Sequence, residues 1–248
     1  RMCGVAPHRL ALTENVTSGC VLPLWGLPFE AGDRLLISDC EHPGVVAACH
    51  ELARREQLEV DTLPVQQFRQ GREAQHDTDA GVLQALEDSL QPRTKVVVLS
   101  HLLWNTGQLM PIPAVAEQLD QHAQQPFLLV DAAQSMGQIP VEAAAQAADI
   151  YAFTGHKWAC GPEGLGGVAL SERILNQVKL TNALSTAFSG NKPSENDLAG
   201  LPQWALNALG FKIEDNKVVS RFGLPMEEFI ERVANPIQSS LSSLNPLI

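Results

Sequence analysis

Residues 126–138 read PFLLVDAAQSMGQ. An apolar run ends on a carboxylate, Asp131, and hands over to a polar connection that carries Gln134. Near-continuous apolar character over so short a run marks a strand buried on both faces, as in a parallel sheet. The pattern recurs on either side in RLLIS (34–38), LEVDTL (58–63), KVVVLS (95–100), IYAFT (150–154) and GGVALS (166–171). Amphipathic segments fall between these runs, near 14–26, 42–56, 80–90, 113–124 and 172–179. Strands alternating with helices predict an α/β fold, with a mostly parallel sheet and helices on both faces. Ligands of such sheets bind beyond the carboxyl ends of the strands, where Asp131 falls.

The large domain is predicted over 1–184, followed by a polar, turn-rich linker or loop at 185–200. A short C-terminal region, 201–248, offers helices near 201–209 and 225–234 and a weakly ordered tail. A chain of 248 residues with 45% hydrophobic residues can bury a real core. Its formal net charge of −11 argues against nucleic acid as a partner. No apolar run is long enough to span a bilayer, so no membrane partner is expected. The opening RMCGVAPHRL lacks the apolar core of a secretory signal. Five scattered cysteines without a CxxC pair suit a reducing, cytoplasmic setting. Cys40 and His42 lack a second ligand pair at suitable spacing, so no metal site is expected.

Four stretches carry candidate chemistry, and each also has a structural reading. Asp131 at a strand end needs a partner for its buried charge, but before Ala132, Ala133 and Gln134 it could equally cap a helix. In FTGHKWACGPEGLGG (153–167), Lys157 follows a strand and precedes a glycine-rich turn. Glycines 155, 161, 164, 166 and 167 and Pro162 set a tight backbone course there; an ordinary surface lysine is the alternative. Cys160 beside it could be a reactive thiol or a small turn residue. In LALTENVTSG (10–19), Thr13 is expected to cap a helix whose free N–H groups belong to Glu14, Asn15 and Val16. Such an N-terminus suits phosphate, although capping alone explains the pattern and the Glu14 charge opposes it. Finally, His42 follows strand 34–38, and His101, Trp104, Asn105 and Thr106 follow strand 95–100, so successive strand ends suggest one pocket.

Together these residues resemble the fold type I pyridoxal-phosphate enzymes, in the class V aminotransferase and cysteine desulfurase branch. The matching motifs are Glu41-His42, Asp131 with Gln134, and Thr154-Gly155-His156-Lys157 running into Gly161-Pro162-Glu163-Gly164-Leu165-Gly166. Lys157 follows Asp131 by 26 residues, as the family requires, and the resemblance covers about residues 10–180. LTENVTSGC, SHLLWNTGQ and GHKWACGPEG look most like the cyst(e)ine C–S lyases and isopenicillin-N-epimerase-like members.

The resemblance implies pyridoxal 5′-phosphate as cofactor, a small amino-acid substrate and a homodimer. It makes Lys157 the residue that bonds the cofactor aldehyde and then removes the α-proton. Asp131 would pair with the pyridine nitrogen, Gln134 would bond the phenolic oxygen, and His42 would stack on the ring. Thr13, Glu14, Asn15, Thr154 and His156 would hold the phosphate, with Asn105 also in the cofactor site. The family's N-terminal segment is missing and its C-terminal domain shortened, so the chain reads as a fragment or a truncated gene. Arg221, ahead of Glu227 and Glu228, is the candidate for the substrate carboxylate. Partner-subunit residues that complete the phosphate cup are not identifiable in 181–210. No cysteine follows Cys160, where the desulfurases carry their persulfide-forming residue. The expected reaction is therefore β-elimination from cysteine or cystine. Transamination, epimerisation or desulfuration by the same apparatus is the alternative, and a cofactor-free remnant is the alternative of another class.

Overall fold

Short β-branched runs between glycine and proline become strands because their side chains pack on a pleated, buried surface. The computed structural model describes residues 3–68, 75–177, 211–214 and 217–220. Seven strands form one sheet: β1 (Leu10–Thr13), β2 (Arg34–Ser38), β3 (Glu59–Leu63), β4 (Thr94–Ser100), β5 (Phe127–Asp131), β6 (Ile150–Thr154) and β7 (Gly166–Leu170). Their order across the sheet is β1-β7-β6-β5-β4-β2-β3. Strands β2 to β6 pair in parallel, whereas β7 runs antiparallel to both neighbours, β6 and β1. The order reverses between β2 and β4. That switch point opens a crevice at the carboxyl ends.

Among the described residues six α-helices accompany the sheet: α1 (Val16–Gly26), α2 (Pro43–Glu56), α3 (Gln75–Ser89), α4 (Ile112–Gln121), α5 (Glu142–Ala147) and α6 (Glu172–Gln177). Leu36, Val97, Leu99, Leu128 and Val130 share a buried cluster with Val82 and Leu86 of α3 and Val115 and Leu119 of α4. The alternate strand residues, among them Leu35, Val96, Val98 and Leu129, are equally buried on the face packed by α1 and α2. Both faces are dry, which explains why the strands read as continuous apolar runs. Each such side chain contributes about 1.5–3 kcal/mol on burial.

The predicted strands appear within a residue or so of their expected bounds, and the helices within about five. Four elements are additions. β1 is a four-residue edge strand, mostly exposed, and so shows no apolar alternation. α5 is six residues long, too short for a helical period to register. Phe211–Glu214 (β8) pairs antiparallel with Lys217–Ser220 (β9) in a separate two-stranded sheet. Contacts group residues 1–178 in one unit and 179–248 in another. The linker, the two C-terminal helices, the tail and Arg221 lie outside the described residues.

Candidate active site

Parallel strands bring their carboxyl ends to one edge of the sheet, and register then decides which residues meet. Ser100 ends β4 directly opposite Asp131, the last residue of β5, and Asp131 lies opposite Ala152 of β6. Beyond these ends lies a cavity of about 310 Å³. Asp131 and Gln134 line it from the β5 loop, and Thr154, His156 and Lys157 from the end of β6. His42 enters after β2, Ser100 at the end of β4, Trp104 after it, and Asn15, Val16 and Thr17 from the start of α1. Predicted residues from well-separated chain segments thus share one space.

The start of α1 corrects one expectation. Thr13 is the last residue of β1, and its hydroxyl donates to the Asn15 carbonyl at 2.9 Å. The helix N-cap is Asn15, whose side-chain oxygen accepts from the Ser18 N–H at 2.9 Å. Thr13 and Glu14 do not line the cavity. The N–H groups left at the helix start belong to Val16 and Thr17, which do line it. They offer the anion site foreseen for phosphate, shifted along the chain. Gly166 lets this segment sit against the β6 and β7 ends. A Cβ there would lie 2.7 Å from the Phe153 oxygen and 2.9 Å from the Asn15 Cα. Gly166→Ala should therefore push Asn15 away and cost about 1–3 kcal/mol of stability, readable by denaturant melts.

Asp131 is 4% exposed, and one of its oxygens accepts from the Ala133 N–H at 2.8 Å. Burial pushes its pKa up, while the Ala133 bond and the nearby Lys157 and His42 draw it down. A carboxylate held this way offers a strong pairing site to a cation in the cavity. His42 caps α2, and its Nδ1 accepts from the Gly44 N–H at 3.2 Å. Its ring meets Trp104 edge-on, with centroids 6.1 Å apart. Thr154 Oγ1 and His156 Nδ1 share a hydrogen bond of 2.8 Å.

Glu41 fixes the loop that carries His42. Its carboxylate is buried and accepts from the Ser38 hydroxyl (2.5 Å), the Ser100 N–H (2.7 Å) and the Ser100 hydroxyl (2.7 Å). Burial outweighs these donors and raises its pKa from 4.5 to about 7. A raised acid pKa means the folded state holds the proton longer than the unfolded chain. Stability from this group is therefore full below pH 4.5 and is lost as pH rises to about 7. The loss should be on the order of 3 kcal/mol, and Glu41→Gln should flatten it in urea titrations of the cofactor-free protein.

The β4 loop divides. Trp104 reaches the cavity, whereas His101 turns inward and shares a 2.8 Å hydrogen bond with the Tyr151 hydroxyl. Burial lowers the His101 pKa to about 4, so it is a neutral packing group at physiological pH. Asn105 is exposed, approaches the Cys40 thiol, and is not among the cavity-lining residues. The expectation that His42, His101, Trp104, Asn105 and Thr106 share one pocket therefore holds for His42 and Trp104, while His101, Asn105 and Thr106 do not line the cavity. Among the described residues no cluster of His, Cys, Asp or Glu is placed to hold a metal.

Comparison with known proteins follows the same lines. Residues 6–204 match the family profile described as Aminotransferase class-V. The chain belongs to that family. Isopenicillin N epimerase of Streptomyces clavuligerus is 29% identical over 181 residues, which are 73% of this chain and 43% of that protein. A cysteine desulfurase of Salmonella newport (strain SL254) is 28% identical over 174 residues, covering 69% and 40%. A solved complex of the cystine C–S lyase C-DES with its reaction product cysteine persulfide matches at TM-score 0.64 and 38% identity, covering 71% of this chain and 45% of that one. The chain thus spans less than half the length of these relatives.

Sequence reasoning passed over Ser100 and Thr17, which line this cavity, and Trp158, whose indole N–H donates to the cavity-lining Gln134. Ser100 was discoverable as the strand-end residue beside Asp131. Thr17 was hidden by the misplaced helix start. Trp158 gave no signal, since a tryptophan after a lysine has no chemistry of its own in sequence.

Proposed function

We propose that this chain is the cofactor-binding part of a pyridoxal-phosphate-dependent C–S lyase that performs β-elimination on cysteine or cystine. One observation carries the reading: a buried strand-end carboxylate, Asp131, shares a cavity with the amine of Lys157. The residues fit the cofactor. The dry carboxylate suits a protonated ring nitrogen, the α1 N–H groups suit a phosphate, and the lysine suits an aldehyde. A solved structure of C-DES, a lysine-to-alanine mutant with glycine covalently linked to its PLP cofactor, has the same fold at TM-score 0.65 and 38% identity. When bound, pyridoxal phosphate supplies an electron sink for the bonding electrons at the amino acid's Cα.

The chain's own residues then have defined tasks. Lys157 would hold the aldehyde and afterwards carry the Cα proton. Asp131 would keep a proton on the ring nitrogen, and His42 would stack on the ring. Gln134 would donate to the phenolic oxygen, while Val16, Thr17, Thr154 and His156 would hold the phosphate. With the Cα proton on Lys157, the Cα–H pair would become a Cα–Cβ double bond as sulfur leaves Cβ with its own bonding pair, and water would convert the released enamine to pyruvate and ammonia. Cystine is the better substrate because a persulfide is a more stable leaving anion than sulfide.

Desulfuration is the second reading, because Cys160 is exposed while the other four cysteines are buried. Its backbone course argues against a mobile nucleophile. Cys160 sits at φ 54°, its N–H donates to the Lys157 carbonyl (3.0 Å), and Gly161 N–H donates to the Gly155 carbonyl (2.7 Å). Pyruvate rather than alanine should be the carbon product from L-cystine, with little change in Cys160→Ala. Stoichiometric alanine, or activity lost with Cys160, would move the chain to the desulfurases. The five free thiols support a cytoplasmic setting. No described helix is long and apolar enough to cross a membrane. A second copy of the chain as partner belongs to the same proposal, as the family resemblance implies.

A further inference from the structure

Two loops meet at the cavity edge. Gly137, at φ 87°, lies so close to the turn after β6 that a Cβ would come within 2.6 Å of the Trp158 carbonyl carbon and the Ala159 nitrogen. Three residues earlier, the Gln134 Oε1 accepts from the Trp158 indole N–H at 2.9 Å. The indole nitrogen is a donor only, so it fixes which end of the amide it meets. Both protons of the Gln134 NH2 are then left without a hydrogen-bond acceptor among the described residues, on a side chain that lines the cavity. The turn bearing Trp158 is itself held by the Cys160-to-Lys157 and Gly161-to-Gly155 backbone bonds.

We infer that Trp158 is a positioning residue that sets the polarity of the Gln134 amide, so that the cavity receives a donor and selects an oxygen acceptor. This rests on the pyridoxal-phosphate reading above, in which the acceptor is the cofactor's phenolic oxygen. Without the indole N–H, the amide can turn its carbonyl toward that oxygen, and repulsion replaces a bond. Trp158 thereby ties the turn after β6, next to Lys157, to the loop after β5.

The test uses the full chain with pyridoxal phosphate and four proteins: unmodified, Trp158→Phe, Gln134→Ala and the double variant. Trp158→Phe keeps the ring packing and removes the donor. We expect its visible absorbance to titrate about 0.5–1 pH unit higher and cofactor affinity to fall about three- to tenfold. In the Gln134→Ala background the same substitution should do almost nothing, because the two act through one bond. Four tryptophans give four indole N–H resonances, and Gln134→Ala should move the Trp158 signal with or without cofactor. Additive effects, no effect of Trp158→Phe, or an unmoved indole resonance would overturn the inference. If the unmodified chain takes up no cofactor while the indole signal still responds, the functional reading has failed. The bond then remains a tie between loops and the assigned role falls with it.

Discussion

Lys157→Ala should abolish turnover, by at least about a thousandfold, because it removes both the covalent anchor and the proton carrier. Borohydride treatment of the holoprotein should leave a pyridoxyl group on the peptide GHKWACGPEG, at Lys157. The geometry makes this specific. Lys157 lines the cavity at the carboxyl end of the sheet, whereas Lys95 is the second residue of β4 and sits at the opposite end. Label on Lys95, or on any other lysine, would remove the site assignment. A variant that still bound cofactor but turned over normally would do the same.

Asp131→Asn should slow α-proton exchange on the order of a hundredfold or more, since a neutral amide cannot stabilise a protonated ring nitrogen. Cofactor retention should suffer less, because Lys157 and the α1 N–H groups remain. Stability should move the other way. Burial raises the Asp131 pKa, so the cofactor-free fold carries the cost of an ionised carboxylate at neutral pH. Replacing it with an amide that keeps the Ala133 bond should leave the cofactor-free protein as stable or more stable at pH 7. Opposite signs for exchange rate and stability distinguish a functional carboxylate from a structural cap. Near-normal exchange in Asp131→Asn would rule out the role.

The large sheet was legible because its strands are buried on both faces, and that demand is written directly into RLLIS, KVVVLS and PFLLVD. The same alternation with helices placed Asp131 and Lys157 at strand ends, which is where parallel sheets gather their sites. β1 and α5 escaped because a four-residue exposed strand and a six-residue helix leave too few positions for a period.

The helix start at α1 was misread for a related reason. Thr13 and Asn15 are both competent N-caps, and sequence offers no preference between them strong enough to decide. The pairing of β1 with β7 decided it, because Thr13 lies opposite Gly166 in the ladder and is therefore strand. The cap passed to Asn15, and with it the free N–H groups passed to Val16 and Thr17. Tertiary structure likewise divided the β4 loop. His101 and Trp104 are three residues apart, yet one bonds Tyr151 in the core and the other faces the cavity. Sequence by itself determined where the buried strands run and end, since burial and periodicity are local properties of short segments. Which of the flanking side chains face one another was decided only by register and loop packing, as with Glu41 on Ser100 and Trp158 on Gln134. Those contacts join residues 59 and 24 positions apart, and no local pattern in the chain encodes such a separation.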